Sequence, residues 1–168
     1  IILEKRIGSD PFKNLMETIF ELKNKIVNHI REKLKTTVAE LKHNISLAKE
    51  SRDNETKSSV GDKYETSREM VNIEIEKLSL QLSKTLILLN ELEKINFQKE
   101  YRLVEFGSLI FTNNANYFIS FGFGKIEIEK VIFFGISLES PIGKAMKGKK
   151  KGDTFRFQSN EVVIKEIV

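Results

Sequence analysis

The stretch VNIEIEKLSLQLSKTLILLNEL, Val71 to Leu92, decides the fold. Val71, Ile75, Leu78, Leu82, Thr85, Leu89 and Leu92 follow one another in alternating steps of four and three, with only Thr85 polar. This is the heptad pattern of a helix that buries one narrow seam against another helix. Upstream, Phe20, Val27, Leu34, Leu41 and Ala48 recur seven apart, and Val38 and Ile45 fill the second seam position late in the run. Folding the chain about residues 59 and 60 sets Ala48 opposite Val71, Ile45 opposite Ile75, Leu41 opposite Leu78 and Val38 opposite Leu82. So short a connection between such long helices makes them antiparallel neighbours. The pattern predicts an antiparallel coiled-coil hairpin from Pro11 to Ile95, within an N-terminal region 1–97. Each arm of about 40 residues is on the order of 60 Å long. That exceeds what covering a β domain of about 70 residues requires, since its radius of gyration is roughly 11 Å. The arms are therefore expected to project.

Composition changes near residue 97. Lys, Glu, Leu and Ile dominate before it, while most phenylalanines and glycines follow it, so a helical half precedes a β half, 98–168, in an α+β chain. Net charge is +4 with 31% charged residues, too mild and too mixed in sign to mark a nucleic-acid binder. The absence of cysteine excludes disulfides and thiolate metal sites, and two histidines, His29 and His43, are too few for a His-rich site. No apolar run approaches the roughly 18 residues that span a bilayer, and no basic-then-apolar segment opens the chain. The expectation is a cytoplasmic protein with no membrane partner.

The apex of the hairpin, about 53–65, reads as a solvated loop between Ser51 and Glu65 in which Val60 is the one apolar residue. Gly61 suits a positive φ at the reversal, and Asp62 with Glu65 three positions on forms a capping box for the second helix. Asp53, Glu55, Asp62 and Glu65 also bring carboxylates to the apex, the ligand type a hard cation such as Mg²⁺ takes.

Beyond Tyr101, apolar runs at Leu103–Phe111, Tyr117–Phe123, Ile126–Gly135, Asp153–Phe157 and Val162–Val168 predict strands of a small meander-like antiparallel sheet, with turns at 113–116 and 122–124. Ser140-Pro141-Ile142-Gly143-Lys144-Ala145-Met146 reads as a short helix with a serine cap, proline at its first position and Gly148 at its end. Lys147, Lys149, Lys150 and Lys151 follow it as a solvated turn or as a contact for an acidic protein surface or nucleic acid.

The run from Ile136 through Ser140-Pro141-Ile142-Gly143-Lys144-Ala145-Met146 to Lys149, followed by Gly152-Asp153, resembles the signature of the Gre factor family of transcription elongation factors. The order of parts is similar too, and Tyr64 and Arg68 resemble that family's Tyr-x-x-x-Arg just past the tip. The resemblance implies an FKBP-like C-terminal domain docked, through Ser140, Pro141 and Ile142, at the rim of the secondary channel of bacterial RNA polymerase. The hairpin would enter that channel and reach the nascent RNA 3′ end indirectly. Two tip acids would then help hold a Mg²⁺ shared with the polymerase active site, which hydrolyses a backtracked transcript. The chain itself would bind no cofactor alone and would be an accessory factor rather than an enzyme.

This sequence departs from the family at the tip. Counting back from Tyr64 places Lys57 and Val60 where the two family carboxylates stand, so the acid pair falls to Glu55 with Asp62, or Asp53 in place of Glu55. Inhibition of the polymerase through the same channel is the first alternative. A second is an FKBP-like peptidyl-prolyl isomerase or chaperone. A monomer is expected, although Ile73, Leu80, Ile87 and Leu88 lie outside the seam and keep self-association open.

Overall fold

The computed structural model describes the backbone of residues 11–55, 62–97 and 99–168, and side chains within them from Thr18 to Asn54, from Glu65 to Phe97 and from Lys99 onward. The reversal expected at residues 59 and 60, with Lys57, Val60 and Gly61, lies outside the described residues. Two long helices come first: α1, Pro11–Glu55, and α2, Asp62–Glu93. The expected loop of 51–65 is shorter than read, since Ser51–Glu55 continue α1 and Asp62–Glu65 already belong to α2. Polar composition suggested a loop there, yet Glu, Lys and Arg are also good helix formers.

Two compact units divide the chain. One is Ile30–Lys94; the other joins Ile95–Val168 to the described part of Ile1–His29. Within the first, the seam is visible as burial. Leu34, Leu41 and Leu92 are buried, and Val38, Ile45, Ala48, Val71, Ile75, Leu78, Leu82, Thr85 and Leu89 are half-buried, while the residues between them are mostly exposed.

The second unit holds six strands: β1 Leu109–Thr112, β2 Asn116–Ser120, β3 Gly124–Ile128, β4 Val131–Ser137, β5 Thr154–Phe157 and β6 Asn160–Ile167, with α3, Pro141–Met146, between β4 and β5. Their order is β3-β4-β2-β1-β6-β5. Every pair is antiparallel except β2 with β4, which runs parallel with Tyr117 against Phe134 and Ile119 against Ile136. The sheet is thus not a pure meander. The run 126–135 contains a hairpin, β3 to β4, turned by Glu129 and Lys130 at φ 51° and 68°. Likewise the run 103–111 becomes strand only at Leu109, and before it Tyr101 and Val104 bury their side chains from irregular backbone.

Pairing alternates side chains between faces. One face carries Ile110, Tyr117, Ile119, Val162 and Ile164, which cluster with Phe155 and with Met146 of α3. The other carries Leu109, Phe118, Ile126 and Phe133, each fully buried. The start of α1 is fastened to this unit by an ion pair from Lys25 to Glu129 in the β3–β4 turn, by the Phe20 ring edge-on to Phe97 at 6.1 Å, and by buried Lys23. Phe20, a seam position by sequence, remains 41% exposed.

Candidate functional site

Three places hold the candidate residues or an unusual buried charge: the apex of the hairpin, the α3 turn and the root of α1. The hairpin's register is fixed by two cross-helix contacts. Arg31 Nε donates to Glu93 Oε1 at 2.7 Å, and Arg52 Nη1 donates to Asn72 Oδ1 at 3.3 Å. Between them α1 advances from 31 to 52 while α2 retreats from 93 to 72, which are three heptads in opposite directions. The helices are therefore antiparallel in one register along that length. Each arginine's partner lies about one turn along α2 from the residue that the seam pairing sets opposite that arginine, a distance that a long guanidinium side chain spans.

That register delivers the acids of the apex to the helix ends. Glu55 is the last residue of α1 and Asp62 the first of α2, while their side chains lie outside the described residues. Asp53 is described: its Oδ1 accepts from Arg52 Nε at 3.0 Å, so its carboxylate already has a cationic partner. Glu65 and Arg68 are exposed on the first turns of α2. Among the described residues, no group of three Asp, Glu or His side chains is arranged to hold a metal.

The α3 turn forms as its sequence dictates. Ser140 takes an extended φ and ψ, its hydroxyl accepts from Gly143 N at 3.1 Å and donates to Ser137 O at 2.7 Å, and Pro141 opens the helix. Gly143 has no alternative, because a Cβ there would lie 2.0 Å from Ser137 O and 2.9 Å from Leu138 Cα. Of the three residues that the family resemblance would place against a partner, Ser140 is engaged in this cap, Ile142 packs half-buried against the core, and Pro141 is exposed. Gly148 follows at φ 72°, and the lysine cluster after it is an ordered turn. Lys150 N donates to Asp153 Oδ2 at 2.9 Å, and Lys151 pairs with Glu166.

The root of α1 holds a residue that sequence reading passed over. Lys23 is only 2% exposed, with its Nζ 3.9 Å from the centre of the Tyr101 ring and 3.4 Å from Val168 O, to which it donates. Burial, with the Lys99 charge beside it, pushes its amine down from 10.5 to about 8. Lys99 stands over the same ring at 5.1 Å and pairs with Glu105. The signal was present: Lys23 falls three residues after Phe20 and four before Val27, where the heptad asks for an apolar side chain.

With this geometry in hand, comparison with known proteins adds little. No family model matches the chain, and no curated protein matches it. Among solved structures, one described as the transcription factor Gfh1 is 16% identical over 82% of this chain and 92% of that one, with a TM-score of 0.34. Another, the GreA factor homolog 1 (Gfh1) protein of Thermus thermophilus, is 15% identical over 82% and 94%, with a TM-score of 0.32. Likeness at that level carries no assignment of function. No helix among the described residues is long and apolar enough to cross a membrane.

Proposed function

We propose that this protein is a secondary-channel regulator of bacterial RNA polymerase, acting as an accessory factor that stimulates cleavage of backtracked transcripts. The observation that carries the reading is the α3 turn. The Gre-resembling residues Ser140, Pro141 and Gly143 form a capped, sterically determined turn with Pro141 exposed, in a chain that also carries an antiparallel helical hairpin. In this reading Pro141 and its neighbours meet the polymerase, and the hairpin presents Glu55 and Asp62 to the active site. There they would add carboxylate ligands to a Mg²⁺ that the polymerase shares, the metal supplying charge neutralisation and water activation.

Stalled, backtracked polymerase incubated with the protein and Mg²⁺ tests the proposal. Shortened RNA is expected with the wild type and not with Glu55→Ala/Asp62→Ala. Intact RNA with the wild type, or cleavage unchanged in the double variant, rejects the cleavage role. One observation favours a second reading, inhibition through the same channel: Arg52 occupies the Asp53 carboxylate, leaving one tip acid fewer for a metal. Slowed elongation without cleavage in the same assay identifies it.

A further inference from the structure

The outward face of α2 carries a column of side chains unrelated to the hairpin seam. Ile73, Leu80 and Ile87 are spaced by seven and are 60%, 57% and 60% exposed. At about 100° per residue, Glu69, Ile73, Glu76, Leu80, Lys84, Ile87 and Glu91 all lie within about 40° of Leu80 around the axis, on the side opposite Val71, Leu78, Leu82 and Leu89. Three large aliphatic side chains in one line on water are an unusual surface for a helix whose other face is already occupied.

The column is symmetric about Leu80. Seven residues to either side stands an isoleucine, and four residues to either side stands a charge, Glu76 before and Lys84 after. Both charges are exposed, and no ion pair within the chain engages either of them among the described residues, whereas nearby Lys77 is paired with Glu74. A surface whose apolar groups repeat and whose charges invert about a centre is complementary to itself under a two-fold rotation, the requirement of an isologous interface.

We propose that two copies of the protein associate through this face, α2 against α2 in antiparallel sense with Leu80 on the two-fold axis. Leu80 then meets Leu80 of the second copy, Ile73 meets its Ile87, and Glu76 pairs with its Lys84, twice by symmetry. Glu69 falls towards Glu91 of the second copy, but about 16 Å from the axis, where helices crossing at an angle have already separated. The contact is one helix face, and it gives a weak, concentration-dependent dimer rather than an obligate one.

Sedimentation equilibrium of the full chain, from micromolar to about 1 mM, tests this. The apparent mass should rise from 19.4 kDa towards twice that value, and Leu80→Glu should hold it at the monomer. Glu76→Lys and Lys84→Glu should each weaken association about tenfold by setting like charges opposite one another. The double variant Glu76→Lys/Lys84→Glu should restore it. Because the chain has no cysteine, Leu80→Cys should cross-link to its own copy on oxidation, whereas Ile73→Cys should do so only together with Ile87→Cys. These positions are exposed, so the variants keep the fold, which circular dichroism verifies. A monomeric mass throughout the range, association indifferent to Leu80→Glu, or no rescue by the double swap overturns the proposal.

Discussion

Arg31 and Glu93 close the hairpin with a two-pronged contact, Nε to Oε1 at 2.7 Å and Nη2 to Oε2 at 3.2 Å. Such fork-to-carboxylate geometry is the strongest form of surface ion pair because both hydrogen bonds are charge-assisted. Arg31 also holds the Glu93 carboxyl below its usual range. The carboxylate's contribution to stability is therefore present above the unfolded pKa and is lost as pH falls through the depressed folded value. Arg31→Ala, Glu93→Ala and the double variant, compared by urea unfolding, should show a coupling of about 0.5–1 kcal/mol at pH 7. At pH 3 that coupling should be smaller.

Lys23 gives pH dependence at the other end of the scale. Its amine is lowered to about 8 in the folded chain from an ordinary 10.5, so between those values the unfolded state binds more protons and stability rises with pH. Below pH 8 the full desolvation penalty applies. Two neighbours act oppositely but higher: burial raises the Tyr101 phenol above 10.0, and Glu105 raises Lys99 above 10.5. The window from pH 8 to 10 thus belongs to Lys23. Lys23→Met keeps the volume and removes the charge, so the rise in unfolding free energy across that window should vanish. Equal slopes in wild type and variant would show that Lys23 is not desolvated as described.

The α3 turn separates two glycine effects. Gly143 has no positive φ, so its requirement is space alone, and Gly143→Ala drives a methyl into the Ser137 carbonyl. Backbone cannot yield as a flexible side chain would, and a loss of about 3 kcal/mol or more is expected in thermal or urea unfolding. Ser140→Ala removes the cap and the hydroxyl's bond to Ser137 O, which still accepts from Ser140 N, and should cost about 1–2 kcal/mol. Pro141→Ala should leave stability within about 0.5 kcal/mol, which makes it the variant of choice for probing partner binding without unfolding the turn.

Two hairpin turns explain where sequence reading stopped. Type I′ turns place both central residues at positive φ, and Asn-Gly is their usual signal. Here the pairs are Glu129-Lys130 and Gln158-Ser159, the latter at 49° and 66°, so neither announces itself in the sequence. The seam of the helices was legible because a heptad repeats its message every two turns, and the α3 turn because Ser, Pro and Gly each have one local reason to be there. By contrast, the β3–β4 hairpin was hidden inside one apolar run, and the parallel pairing of β4 with β2 depends on tertiary contacts that no local pattern encodes. The tip acids were named from sequence without a geometry, since charge on an exposed helix end looks alike whether or not it binds metal. Gln158→Asn/Ser159→Gly should stabilise the β5–β6 hairpin by about 1 kcal/mol, read as a rise in thermal midpoint. Glu129 is the poorer site for this change because it holds Lys25.

Thr85 is the single polar residue in the α2 seam, and its hydroxyl donates to Gln81 O at 2.9 Å, within its own helix. Among the described residues no hydrogen bond runs from that hydroxyl to α1, and Gln81 O keeps its place in the helical ladder without it. Replacing threonine by leucine therefore strands no partner, adds apolar area at a half-buried position, and removes a β-branched residue of lower helix propensity. Thr85→Leu should raise hairpin stability by about 1 kcal/mol, measured as a later loss of helical circular dichroism on heating. Thr85→Ser, which keeps the hydroxyl and deletes the methyl, should lower it. If leucine instead destabilises, the space at that layer is already filled, and the gap in the heptad is a packing requirement rather than an unoptimised position.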